Sequence, residues 1–106
     1  MLEESEKSKD RPEDLVRTLL VTWRELEPYA GVDGGGIRTS GDPRVIDHWR
    51  SLFEPEIVYV RSIRNLVAHS PNSMPESELR EAVKAAQRLR DLLFSGLENP
   101  AAVLGA

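Results

Sequence analysis

The sequence predicts an all-α fold, and three observations carry that reading. Apolar residues recur at steps of three and four along most of the chain. No stretch alternates apolar and polar residues for long, so no strand is expected. Pro12 and Pro43 stand where apolar-periodic segments begin, and a first helical turn tolerates proline. The expected architecture is a helical bundle of four main helices, with its middle pair broken at Pro55.

Each element has its own signals. Residues 1–10 are nearly all polar or charged and read as a disordered, solvated arm. The first helix follows Asp10 and carries Val16, Leu19, Trp23, Leu26 and Ala30 on one stripe. Residues 31–41 hold five of the chain's glycines, three of them consecutive, and read as a loop. They do not make a phosphate-cradling loop, because Ile37 and Arg38 follow where such a loop needs Lys-Ser or Lys-Thr.

Asp42 caps the second helix, and Pro43 takes its first position. Val45, Ile46, Trp49, Leu52 and Phe53 are its expected buried face. Glu54-Pro55 interrupts it, since a residue before proline avoids helical geometry. A third helix then runs to about Ala68, and Ser70 before Pro71 stops it near His69. Ser73 and Glu76 have the spacing of a capping box for a fourth helix. That helix buries Leu79, Ala82, Val83, Ala86, Leu89 and Leu93 and ends near Gly96. Residues 97–106 read as a flexible tail, loose or docked on a neighbour, beyond a domain at 11–96.

Composition limits the function. A chain of 106 residues makes one domain, and 40% hydrophobic with 30% charged residues is globular. A net charge of −4 argues against a general basic sleeve for nucleic acid, though not against a local basic spot. No apolar run is long enough to span a bilayer and no signal peptide is evident, so a cytoplasmic protein with no membrane contact is expected. Cysteine is absent and only two histidines occur, so no metal site and no cofactor is expected.

The third helix carries the chemistry. On a helical wheel Tyr59, Val60, Ile63, Leu66 and Val67 share one face, the expected core stripe. Ile57, Arg61, Arg64, Asn65, Ala68 and His69 fall on the rest, a mixture that suits contact with something other than the core. Asn65 and His69 lie one turn apart, so the amide can orient the imidazole. Arg64 and His69 are separated by about 140° around and roughly 7.5 Å along an ideal helix. A two-fold dimer pairing this helix with its copy is one way to make a shared cleft from them.

Arg64-Asn65-Leu66-Val67-Ala68-His69 resembles the hallmark of the HEPN superfamily. That hallmark is an arginine, commonly followed by a polar residue, with a histidine four to six positions on. The order of elements from Asp42 to Leu93 is similar to the small HEPN domains attached to RNA-processing nucleases.

The resemblance implies a HEPN-like bundle and a metal-independent endoribonuclease acting on RNA as a homodimer through the third helix. His69 would move protons, Arg64 would hold the phosphate, and Asn65 would support them. Arg61, Lys84 and Arg88 are the expected RNA-binding cations. A non-catalytic HEPN module binding RNA, a nucleotide or a protein partner is the other reading. HEPN toxins paired with nucleotidyltransferase antitoxins carry a tyrosine two residues after the histidine; here that position is Pro71. An antitoxin partner therefore stands as an expectation without that tyrosine. Asp47, Glu54 and Glu56 are the acidic residues that could support the site. His48, Trp23 and Trp49 read as structural.

Overall fold

The computed structural model describes residues 11–30, 41–70 and 72–105. They form five helices: α1 Pro12–Ala30, α2 Pro43–Leu52, α3 Glu54–His69, α4 Glu76–Glu98 and α5 Pro100–Leu104. There is no strand among the described residues, and no described helix is long and apolar enough to cross a membrane. The polar arm at 1–10 and most of the glycine-rich loop, residues 31–40, lie outside the described residues.

The long helices α1 and α4 make the most extensive contact in the bundle, and α3 packs on both. Leu15, Leu19, Trp23, Leu26 and Ala30 of α1 are buried, with Val16 at the margin of the stripe. On α4 the buried residues are the six expected ones plus Gly96. Leu19, Leu26, Leu79, Leu89 and Leu93 are almost wholly removed from water. Each such side chain contributes about 1.5–3 kcal/mol of burial free energy. Tyr29 and Phe94 meet edge to face at 5.9 Å between ring centres, and Arg90 reaches Glu25 at 3.4 Å. Trp49 ties α2 to α4, its Nε1–H donating to the Leu89 carbonyl at 3.0 Å.

The cap on α2 forms as the sequence implies. The Asp42 carboxylate accepts the Arg44 backbone N–H at 2.9 Å and also takes the Arg44 guanidinium. Those hydrogen bonds, led by the one from the side chain, hold the Asp42 carboxyl below its ordinary value. Gly41 just before it has φ of +117°, and a Cβ there would lie 2.6 Å from Leu97 Cδ2. The backbone angle is what favours glycine here; the Leu97 side chain is flexible and can turn aside.

Five expectations need correction. The break between α2 and α3 falls at Phe53 (φ −111°, ψ 21°), and Glu54-Pro55 opens α3 rather than interrupting it. Pro55 has no N–H to continue α2, and its ring would strike the carbonyl four residues back, so α2 must end before it. Leu52 is 59% exposed rather than buried, and Phe53 only half-buried.

Ser73 does not cap α4. Pro75 occupies the cap position with an extended backbone, and the Ser73 hydroxyl donates to the Ser70 carbonyl at 2.8 Å instead. A capping side chain must sit at the cap itself to reach the first amides, and Ser73 is two residues too early.

The core stripe of α3 is rotated from the expected one. Ile57, Val60, Ile63 and Val67 are buried, while Leu66 is 50% exposed. Finally, α4 passes Gly96 to Glu98, and residues 100–104 form α5 where a flexible tail was expected. Gly96 lets it dock: a Cβ there would lie 3.0 Å from Val103 Cγ2 and 3.1 Å from Val45 Cγ1.

Candidate functional site

Helix α3 is continuous from Glu54 to His69 and stops there. Ser70 is extended (φ −142°, ψ 77°), as a residue before proline prefers, and its N–H donates to the Leu66 carbonyl. His69 therefore stands at the carbonyl end of a helix, where a cation is favoured and an anion is not. A phosphate beside it needs a positive partner to offset those carbonyls.

The core side of α3 is Ile57, Val60, Ile63 and Val67. Val58, Ser62, Asn65, Leu66 and His69 are exposed, spaced by three and four along the opposite side. Ser62 folds its hydroxyl back, donating to the Val58 carbonyl at 2.9 Å. From Ile57 to Ser70 the sequence contains no acidic residue.

Arg64 is half-buried on the flank between the core side and Arg61. Its Nη1 donates to the Asn65 side-chain oxygen at 3.1 Å. The amide that was expected to orient His69 is thus engaged with Arg64. The unbroken helix keeps Arg64 and His69 about 140° and roughly 7.5 Å apart, so within one chain they do not converge on one atom.

The other expected cations lie elsewhere. Arg88 on α4 pairs with Glu56 at 3.9 Å and covers the Phe53 ring at 5.8 Å from its centre. Glu56 is in the first turn of α3 and His69 is its last residue, roughly 20 Å further along the axis. Lys84, exposed one turn before Arg88, shares its surface. Arg61 is exposed on α3 itself and is the cation nearest in sequence to the Arg64–Asn65 pair.

None of the three acidic candidates stands beside His69. Asp47 pairs with Arg50 on α2 at 3.4 Å, while Glu54 and Glu56 open α3 at its far end. Among the described residues no group of three His, Asp or Glu side chains could hold a metal ion.

Two features escaped the sequence reading. One is the half-exposed pair Val58 and Leu66 beside Asn65 and His69. The signal was present, because α3 carries apolar residues all round its axis. The other is His48, which reads as structural but is exposed and lines a groove between α2, α4 and α5. Its tryptophan neighbours in the reading, Trp23 and Trp49, are both buried.

Comparison of the chain with protein families, curated proteins and solved structures finds no match.

Proposed function

We propose that this chain is a metal-independent endoribonuclease of the HEPN kind, acting as a homodimer in the cytoplasm through the outer side of α3. The observation that carries the reading is the surface around the Arg64–His69 segment. Asn65 and His69 stand in the open, flanked by two half-exposed aliphatic residues, Val58 and Leu66, that no described element of the chain covers. Two copies of α3 packed across a two-fold axis would bury those aliphatics. The reading further requires the long Arg64 side chain to reach from its flank into that cleft toward His69 of the other copy, since the spacing within one helix does not let the two meet.

In that cleft RNA supplies its own nucleophile, the 2′-hydroxyl. His69 takes its proton or protonates the leaving 5′-oxygen. Arg64 grips the phosphate and stabilises the charge that develops, and Asn65 fixes the guanidinium that it already bonds. The product is a 2′,3′-cyclic phosphate. Arg61 borders this cleft, whereas Lys84 and Arg88 would act only on RNA that extends around the bundle.

The test incubates labelled RNA with the protein in EDTA. Cleavage persists, leaves cyclic phosphate ends, and spares DNA. His69→Ala lowers the rate by about 10²-fold, the usual contribution of a positioned acid or base. A folded His69→Ala variant that cuts as fast as the parent refutes the reading.

A second reading, a binding module without catalysis, is favoured by one observation: the Arg64 guanidinium is half-buried and already occupied by Asn65. It becomes the better one if the dimer binds RNA, a nucleotide or a protein such as an antitoxin, and cuts nothing.

A further inference from the structure

A second surface lies apart from the Arg64–His69 segment. Between α2, α4 and α5 runs a groove of about 190 Å³ floored by Trp49, Phe53 and Gly96 and lipped by Leu52 and Leu92. Those two leucines are 59% and 40% exposed, so the lips project apolar surface into water. One end is already filled. Helix α5 lays Val103 over Gly96 and against Val45, and the helix stops at Leu104. Among the described residues, none is laid in the rest of the groove, toward Leu52 and Leu92.

Size and charge limit what fits there. Small-molecule sites are usually about 300–1,000 Å³, larger than this groove. What remains is room for one or two aliphatic side chains on a narrow support, and α5 already seats one in that way. The charge beside it is basic: no carboxylate is among the described residues that line the groove, His48 is, and Arg88 stands at its edge. Arg88 lies flat over the Phe53 ring, its side chain 66% exposed and only loosely paired with Glu56 at 3.9 Å.

We propose that this groove is the docking site for an amphipathic helix of a protein partner. The partner inserts leucine-type side chains beside Val103 and sets acidic residues against His48 and Arg88. This is helix-in-groove recognition, in which a few apolar anchors give affinity and flanking charges give register. The proposal is independent of the reading of Arg64 and His69.

The experiment titrates a helix-constrained peptide into the isotope-labelled full chain. The peptide is alanine-based, with two leucines four residues apart flanked by glutamates. Saturable NMR shifts are expected at Leu52, Leu92, Gly96, Val103 and the Trp49 indole, and none at His69. Leu92→Ser weakens binding by about tenfold, with the unfolding transition unmoved because that side chain is exposed. Exchanging the peptide's glutamates for lysines also weakens it.

Absence of saturation at millimolar peptide overturns the proposal, as does an equal response to a serine-for-leucine peptide. If the same resonances move on dilution of the protein alone, the occupant is a second copy. If a small alcohol saturates them, it is a small apolar molecule. Either result also overturns it.

Discussion

The seam between α1 and α4 and the outer side of α3 use similar residues to opposite ends. At the seam, Leu19, Leu26, Leu89 and Leu93 are out of reach of water. The charges that border it meet across it, as in Arg90 with Glu25. On the outer side of α3, Val58 and Leu66 remain half-exposed, and Ser62 and Asn65 bond within their own helix. The first surface is closed by the chain itself. The second is open, and substitutions there should change association and chemistry while leaving the fold alone.

The largest effect that could break this contrast is on stability. Leu93→Ala, in the closed seam, should cost about 2–5 kcal/mol in a denaturant titration. Leu66→Ser should stay within about 0.5 kcal/mol, as exposed substitutions do. Comparable losses would mean that the outer side of α3 is part of the core.

Next comes association. Leu66→Glu should turn a dimer into a monomer by light scattering, with the far-UV spectrum and melting of the fold retained. A dimer that survives the substitution places its interface elsewhere.

A smaller effect probes how α2 is tied to the seam. Trp49→Phe removes the indole N–H that bonds the Leu89 carbonyl and should cost about 1 kcal/mol from that bond, plus a share for lost ring area.

The smallest effects are in pH. The Tyr59 hydroxyl donates to Glu78 at 2.9 Å. Burial first, and then that bond and the nearby carboxylates, push its folded-state pKa above the ordinary value of 10.0. The native state therefore holds this proton more tightly than the unfolded chain. The stability it contributes is complete below pH 10 and is lost as pH rises through the folded value. Tyr59→Phe should flatten that alkaline limb.

Asp42 has the opposite sign. Its folded pKa lies below 3.8, so its contribution is present above that value and is lost as pH falls beneath it. Asp42→Asn keeps a capping side chain and should remove the acid dependence, as thermal melts across pH will read.

How much of this could be read from the sequence follows from the same contrast. The stripes of α1 and α4 were legible because most apolar residues of each helix fall on one side, with few exceptions such as Val21 and Leu92, so the period fixes the face. The Asp42 cap was legible because the side-chain oxygen and Pro43 are local signals. Helix α3 was legible only in part. Ile57, Val58, Tyr59, Val60, Ile63, Leu66, Val67 and Ala68 surround its axis. Periodicity alone could not choose Ile57 over Leu66 for the core; the positions of α1 and α4 make that choice.

The end of α3 at His69 was legible from Ser70-Pro71, a local steric effect. The pairing of Arg64 with Asn65, the distance of Arg88 from His69 and the groove beside His48 were not. Each depends on how helices are placed in space. Ser73 misled because a capping pattern states only a spacing, and Pro75 moved the helix start past it.

The bond between Arg90 and Glu25 joins residues 65 positions apart, and it lies in the most extensive seam of the molecule. Helices α2, α3 and α4 are neighbours in sequence and can find one another through short loops. The first helix must wait for a long loop to close, and the entropy of that closure is met before any contact rewards it. Folding is then expected to begin in the later two-thirds of the chain, with α1 added last. Substitutions such as Trp49→Phe should slow folding, while Leu19→Ala should chiefly speed unfolding.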